Sequence, residues 1–207
     1  TLSSEARVVF RSAAGIIPAA ELDALCARVT DWPRLFGLAE YQVASLAVWK
    51  SLQAAPASLE RVPDAFAEGM RRLALVGDLR MQHLARRAQQ SVEALSAAGV
   101  QSLLLKGAAL GALRDPTFRS RPMADVDLLV RRSDVAKASE ALLGAGWKVT
   151  ENKVYLEMLK DAHHLPHFVD PSLPGMRLEL HVALMPDDQP FGITEDSFWA
   201  SARPAPA

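Results

Sequence analysis

Two aspartates lie two residues apart inside an apolar run, "ADVDLLV" (residues 124–130), and a glutamate and a histidine are spaced the same way in "MRLELHVAL" (176–184). Side chains alternate between faces along a strand. Asp125 and Asp127 therefore share a face opposite Val126, Leu128 and Val130. By the same rule Arg177, Glu179 and His181 lie opposite Leu178, Leu180, Val182 and Leu184. Side-by-side carboxylates repel, and burial raises the cost of each charge, so a positive partner is expected between them. If the two strands are neighbours in one sheet, Glu179 comes close to the aspartates. Three carboxylates gathered this way suit a hard divalent cation, above all Mg2+. Two such ions can clamp the attacking and leaving oxygens of phosphoryl or nucleotidyl transfer.

A second feature precedes the aspartates. In "LLLKGAAL" (103–110) a short apolar strand ends at Lys106-Gly107. Glycine lets backbone approach a phosphate, and the N–H groups of Gly107, Ala108 and Ala109 would open the following helix. Lys106 can place a point charge on a triphosphate, and Arg121 can hold a phosphate or carboxylate bidentately. Arg114, Arg119, Arg131 and Arg132 cluster nearby, which equally fits a set of solvated loop and helix-end charges.

The elements that must position these residues follow from periodicity. Residues 1–99 read as helices throughout, with Ser3 or Ser4 as a first cap and Pro18 at a second helix start. Trp32, Phe36, Val43, Leu46 and Trp49 are the expected anchors of "WPRLFGLAEYQVASLAVWKSLQAA". A long helical pattern runs from Asp64 to Gly99, a plausible C-cap, although Gly69 and Gly77 argue against one unbroken helix. Near residue 100 the period changes from 3.6 to 2. Strands are expected in "VQSLLLKG", "ADVDLLV", "WKVT" and "MRLELHVAL", with an extended "HHLPHFVD". Helices are expected in "AALGALRD", in "RRSDVAKASEALLGAG" capped by Ser133 or Asp134, and in "TEDSFWASA" capped by Thr194. The fold class is α+β or α/β: a helical N-terminal region (1–99), then a core of strands interleaved with helices (100–201). The Pro/Ala run at 202–207 reads as a linker, and the chain as a piece of a longer protein.

Composition sets outer bounds. The chain has 207 residues, half of them apolar, and a formal net charge of −1, so it carries no electrostatic footprint for bulk nucleic-acid or membrane binding. No apolar run reaches the length of a membrane span, and no signal-peptide pattern opens the chain. Cytoplasm is the expected compartment. The single cysteine, Cys26, excludes an internal disulfide and reads as a small core residue.

Each residue also has a plainer reading. Asp125 and Asp127 can be the solvated face of an edge strand. Glu179 can be in a surface salt bridge with Arg177, and His181 can be its hydrogen-bonded partner rather than a base. His163, His164 and His167 suggest zinc, but Pro166 argues against the helix that would bring two of them together. Local packing is the better reading for them, with the lining of an acceptor pocket as the alternative. Trp32, Phe36, Tyr41 and Trp49 read as core rather than as a base-stacking platform.

"LLLKGAAL", "RPMADVDLLV" and "RLELHVAL", with a helix and "GAGW" after the second, resemble the uncharacterised nucleotidyltransferase family, a branch of the polymerase-β-like superfamily. The resemblance covers about residues 30 to 200. It implies a mixed sheet flanked by helices, Mg2+ or Mn2+ held by Asp125, Asp127 and Glu179, and an NTP donor. The implied enzyme attaches a nucleoside monophosphate to an acceptor hydroxyl on a small molecule, protein or RNA. In that enzyme Glu179 or His181 helps deprotonate the acceptor, and Lys106, Gly107, Ala108 and Arg121 hold the triphosphate. Two departures stand out. The wider superfamily has Gly-Ser where this chain has Gly107-Ala108, and its members continue into further C-terminal helices. Two rivals follow: a module that binds nucleotide or a partner without turnover, and a toxin-like enzyme modifying tRNA or protein.

Overall fold

The structure, a computed structural model, describes residues 2–15, 17–112, 123–149, 165, 167–184 and 195–203. Arg114, Arg119, Arg121, His163, His164 and Thr194 lie outside these residues. The described chain forms two compact units, one up to Gln82 and one from His83 onward.

The first unit is helical: α1 (Ser4–Ala13), α2 (Ala19–Cys26), α3 (Trp32–Tyr41), α4 (Ser45–Gln53), α5 (Pro56–Leu59) and the first part of α6 (Asp64–Ala97). Ser3 caps α1 by accepting from the Ala6 N–H, and Asp31 caps α3 by accepting from Arg34. Val8, Val9, Leu22, Leu35, Ala39, Val48, Leu52 and Met70 fill the core. Cys26 is buried among them, and burial pushes its thiol up to about 11.

The apolar stretch 32–55 folds as two helices, α3 and α4. The chain turns at Val43, whose φ of 53° is rare for a β-branched residue. Val43 is 62% and Tyr41 82% exposed, so neither belongs to the core expected of them. Leu35 and Ala39 are buried in this stretch, while Trp32 and Phe36 pack against the cluster from its margin. The long helix α6 is unbroken despite its glycines. A Cβ at Gly69 would lie 3.0 Å from the Phe36 ring, so the missing side chain makes room for that ring.

The second unit holds the sheet. Its strands are β1 (Ser102–Leu104), β2 (Asp125–Val130), β3 (Lys148–Val149), β4 (Phe168–Val169) and β5 (Arg177–His181), in the order β1-β2-β5-β4-β3. Among the described strands only β2 and β5 pair in parallel; the other described pairs are antiparallel, so the sheet is mixed. With helices α7 (Lys106–Ala112), α8 (Val135–Gly144) and α9 (Glu195–Ser201), this is the expected α+β architecture. A short 3-10 turn, Arg132–Asp134, leads into α8. Val126, Leu128 and Val130 of β2 and Leu178 and Leu180 of β5 form one apolar face, packed with Leu84, Ala88 and Leu95 of α6 and Ala138 and Leu142 of α8.

A buried polar network ties α6 to the turn between β4 and β5. Asp170 accepts from the Ser172 hydroxyl (2.6 Å) and backbone N–H (2.8 Å). Its other oxygen lies 2.9 Å from both His83 Nε2 and Arg87 Nε. The Arg87 guanidinium also covers the Trp147 ring at 4.5 Å, and the indole N–H donates to Ser91. This is not a Ser-His-Asp catalytic triad. Ser172 donates to Asp170 itself, and one nitrogen of His83 faces both groups.

Candidate active site

The parallel pairing of β2 with β5 puts Asp127 directly opposite Glu179, with Asp125 opposite Arg177 and Leu129 opposite His181. Strand alternation turns all six away from the apolar face packed on α6 and α8. The aspartate strand is interior to the sheet, between β1 and β5, so it is not an edge strand. Nor is its second face solvated: Asp127 has a side chain only 4% exposed, and Leu129 is fully buried.

The Asp127 carboxylate has two close donors on one oxygen. Lys106 Nζ is 2.6 Å and His181 Nε2 2.8 Å from Oδ1. Glu179 Oε2 lies 3.5 Å from His181 Nε2 and 3.8 Å from Lys106 Nζ, while its Oε1 is 3.0 Å from His167 Nε2. Among the described residues, donor atoms of Asp127, Glu179 and His181 all fall within 4.8 Å of one another. Asp125 is not one of that group, although its charge acts on Lys106. His181 bonds Asp127 more closely than the Glu179 partner expected of it.

Lys106 is aimed here by its backbone. The Leu105 N–H donates to the Asp127 carbonyl at 3.0 Å, extending the pairing of β1 with β2 by one residue. The chain then turns through a left-handed φ of 48° at Lys106. Burial works against the Lys106 charge. The hydrogen bond to Asp127 and the fields of Asp127, Glu179 and Asp125 outweigh it and raise the pKa. Gly107 has a packing reason of its own, since a Cβ there would run into the Met123 sulfur. Ala108 is buried, and the Ala109 N–H already donates to the Leu105 carbonyl.

His167 joins the site although its sequence context favoured packing. It precedes Phe168, which pairs with Leu178 and shares its apolar face. Alternation therefore turns His167 toward the Glu179 side of the sheet. The signal was the single step from His167 to Phe168, too short to register as a period.

Two carboxylates and an imidazole within this span form a donor set rich in hard oxygen, which fits Mg2+ or Mn2+. The Lys106 ammonium, already seated at the carboxylates, shows that the position takes a positive charge. His181 Nε2 must carry hydrogen to bond Asp127, and would turn a lone pair inward only with the hydrogen moved to Nδ1. No described helix is long and apolar enough to cross a membrane.

A family model described as "uncharacterised nucleotidyltransferase" matches residues 28–207, a span that contains every site residue named above. No curated protein and no solved structure matches the chain.

Proposed function

The chain belongs to the uncharacterised nucleotidyltransferase family, and from that premise we propose that it transfers a nucleoside monophosphate from an NTP to an acceptor hydroxyl, with Mg2+ or Mn2+. The observation that carries the reading is the register of Asp127 against Glu179, with His181 and Lys106 beside them.

In this reading Asp127 and Glu179 hold the cation, His181 is a third donor, and Asp125 supplies a further carboxylate on the same face. A bound divalent ion would polarise the α-phosphate and offset charge on the departing pyrophosphate. Lys106 neutralises the triphosphate, and Gly107, Ala108 and Arg121 are the remaining candidates to hold it. His167 fixes the orientation of Glu179, as outer partners of metal-binding carboxylates do. Glu179, or His181 when its Nε2 does not ligate the ion, accepts the proton from the acceptor hydroxyl.

One alternative has a specific feature in its favour. Ala108 stands where the wider superfamily carries a phosphate-binding serine, which favours a module that holds nucleotide without turnover.

The test is transfer of label from each α-labelled NTP, with Mg2+, into pooled RNA, protein or small alcohols. Transfer that disappears in Asp127→Asn and Glu179→Gln supports the enzyme. Nucleotide binding with label transferred to none of the pools favours the binding module.

A further inference from the structure

Asp127 is a buried carboxylate, and a buried anion stripped of its positive partner is strongly unfavourable. Its partner Lys106 is placed very differently. The Lys106 side chain is 59% exposed, so its ammonium can leave for water without unpacking a core. Its backbone stays anchored next to the site by the Leu105–Asp127 hydrogen bond and the turn at φ 48°. The ammonium also lies between the two carboxylates that would ligate a metal, 2.6 Å from one and 3.8 Å from the other.

Charge then decides what can share the site. Within the Asp127–Glu179 pair the ammonium cancels one of two negative charges, leaving a single one, beside the field of Asp125, for an incoming divalent ion. The two cations would compete for the same Asp127 oxygen. With the ammonium gone, both charges of the Asp127–Glu179 pair are available to the two positive charges of the ion.

We propose that Lys106 is the resident counter-ion of the Asp127–Glu179 pair, and that a divalent cation binds by displacing it. The inference rests on the metal-site reading above and adds a consequence to it. The bare ion binds weakly because it must expel a lysine that already neutralises Asp127. An incoming polyphosphate gives the displaced ammonium a new anionic partner, so metal and polyphosphate favour each other's binding, and such coupling is reciprocal.

Mn2+ alone, titrated into the protein with free Mn2+ read by electron paramagnetic resonance, tests the exchange. The comparison is between the native chain, Lys106→Met, and Lys106→Met combined with Asp127→Asn, each checked for folding by circular dichroism. Lys106→Met is expected to bind Mn2+ about 10-fold more tightly than the native chain, within the usual range of coupling between sites. The added Asp127→Asn change is expected to abolish that gain. Equal or weaker binding by Lys106→Met overturns the counter-ion role and leaves the metal site standing. Tight binding that survives Asp127→Asn overturns it too, because the ion then sits elsewhere. No Mn2+ binding by any variant removes the metal reading along with the proposal.

Discussion

Asp127 and Glu179 face each other across neighbouring parallel strands, and both lie within reach of Lys106 and His181. Replacing Asp127 by Asn keeps the shape and one acceptor oxygen but removes the charge. Lys106 can turn to water, so stability should fall by only about 1–2 kcal/mol, the scale of weakened charge-assisted hydrogen bonds. Urea unfolding checks this. A loss of 4 kcal/mol or more, on the scale of an uncompensated buried charge, would mean that Lys106 and His181 cannot relax and that the pair is structural.

Asp170 should give the protein an acid-sensitive component. Burial raises its pKa, but bonds from Ser172 and His83 and the Arg87 charge outweigh this and lower it from 3.8 to about 2. A depressed carboxyl pKa contributes stability above its unfolded value, and that stability is lost as pH falls through the folded value. The window is therefore roughly pH 4 down to 2, and the contribution on the order of 2 kcal/mol. Urea midpoints of Asp170→Asn should fall less steeply across that window than those of the native chain. Parallel slopes would show that Asp170 is not the group responsible. The variant should also lose about 3 kcal/mol at neutral pH, because Arg87 loses its carboxylate.

The glycines of α6 should respond differently to alanine. At Gly77 a Cβ meets Leu46 at 3.8 Å, an ordinary contact, so Gly77→Ala should stabilise by about 1 kcal/mol through helix propensity. At Gly69 the Cβ crowds Phe36 at 3.0 Å, so the same change should gain nothing or destabilise. Thermal melts of the two variants give the comparison. A larger gain at Gly69 would contradict the packing described.

Cys26 should be inert in the folded chain. Its thiol is buried and pushed up to about 11, first by burial and then by the charge of Asp23. At pH 8 a thiol reagent should label the native protein far more slowly than the urea-unfolded protein, since only thiolate attacks. Equal rates would place the thiol at the surface.

Much of this architecture was legible because alternation is written residue by residue. The two carboxylate strands, their apolar faces and the possible meeting of Glu179 with Asp127 all follow from a period of two. What escaped is non-local or too short to have a period. Strand β4 has two residues, so nothing marked His167 as a neighbour of Glu179. Lys106 is paired with an aspartate 21 positions away, and only the turn at its own backbone reveals that direction. Lys106 was expected on a triphosphate, and nothing local in its sequence marked its ammonium as a neighbour of Asp127 and Glu179. Tyr41 and Val43 read as core because they are apolar or aromatic, but exposure depends on where the chain turns. Gly69 and Gly77 read as helix breakers, and the nearby Phe36 and Leu46 side chains explain their tolerance.

Calorimetric titration of the four NTPs, with and without Mg2+, tests the central claim most directly, alongside the folded Asp125→Asn/Asp127→Asn double variant. The expected result is binding of at least one NTP that needs Mg2+ and is lost in the double variant. Binding that ignores Mg2+, or survives loss of both aspartates, would contradict the assignment of this carboxylate face to metal and nucleotide.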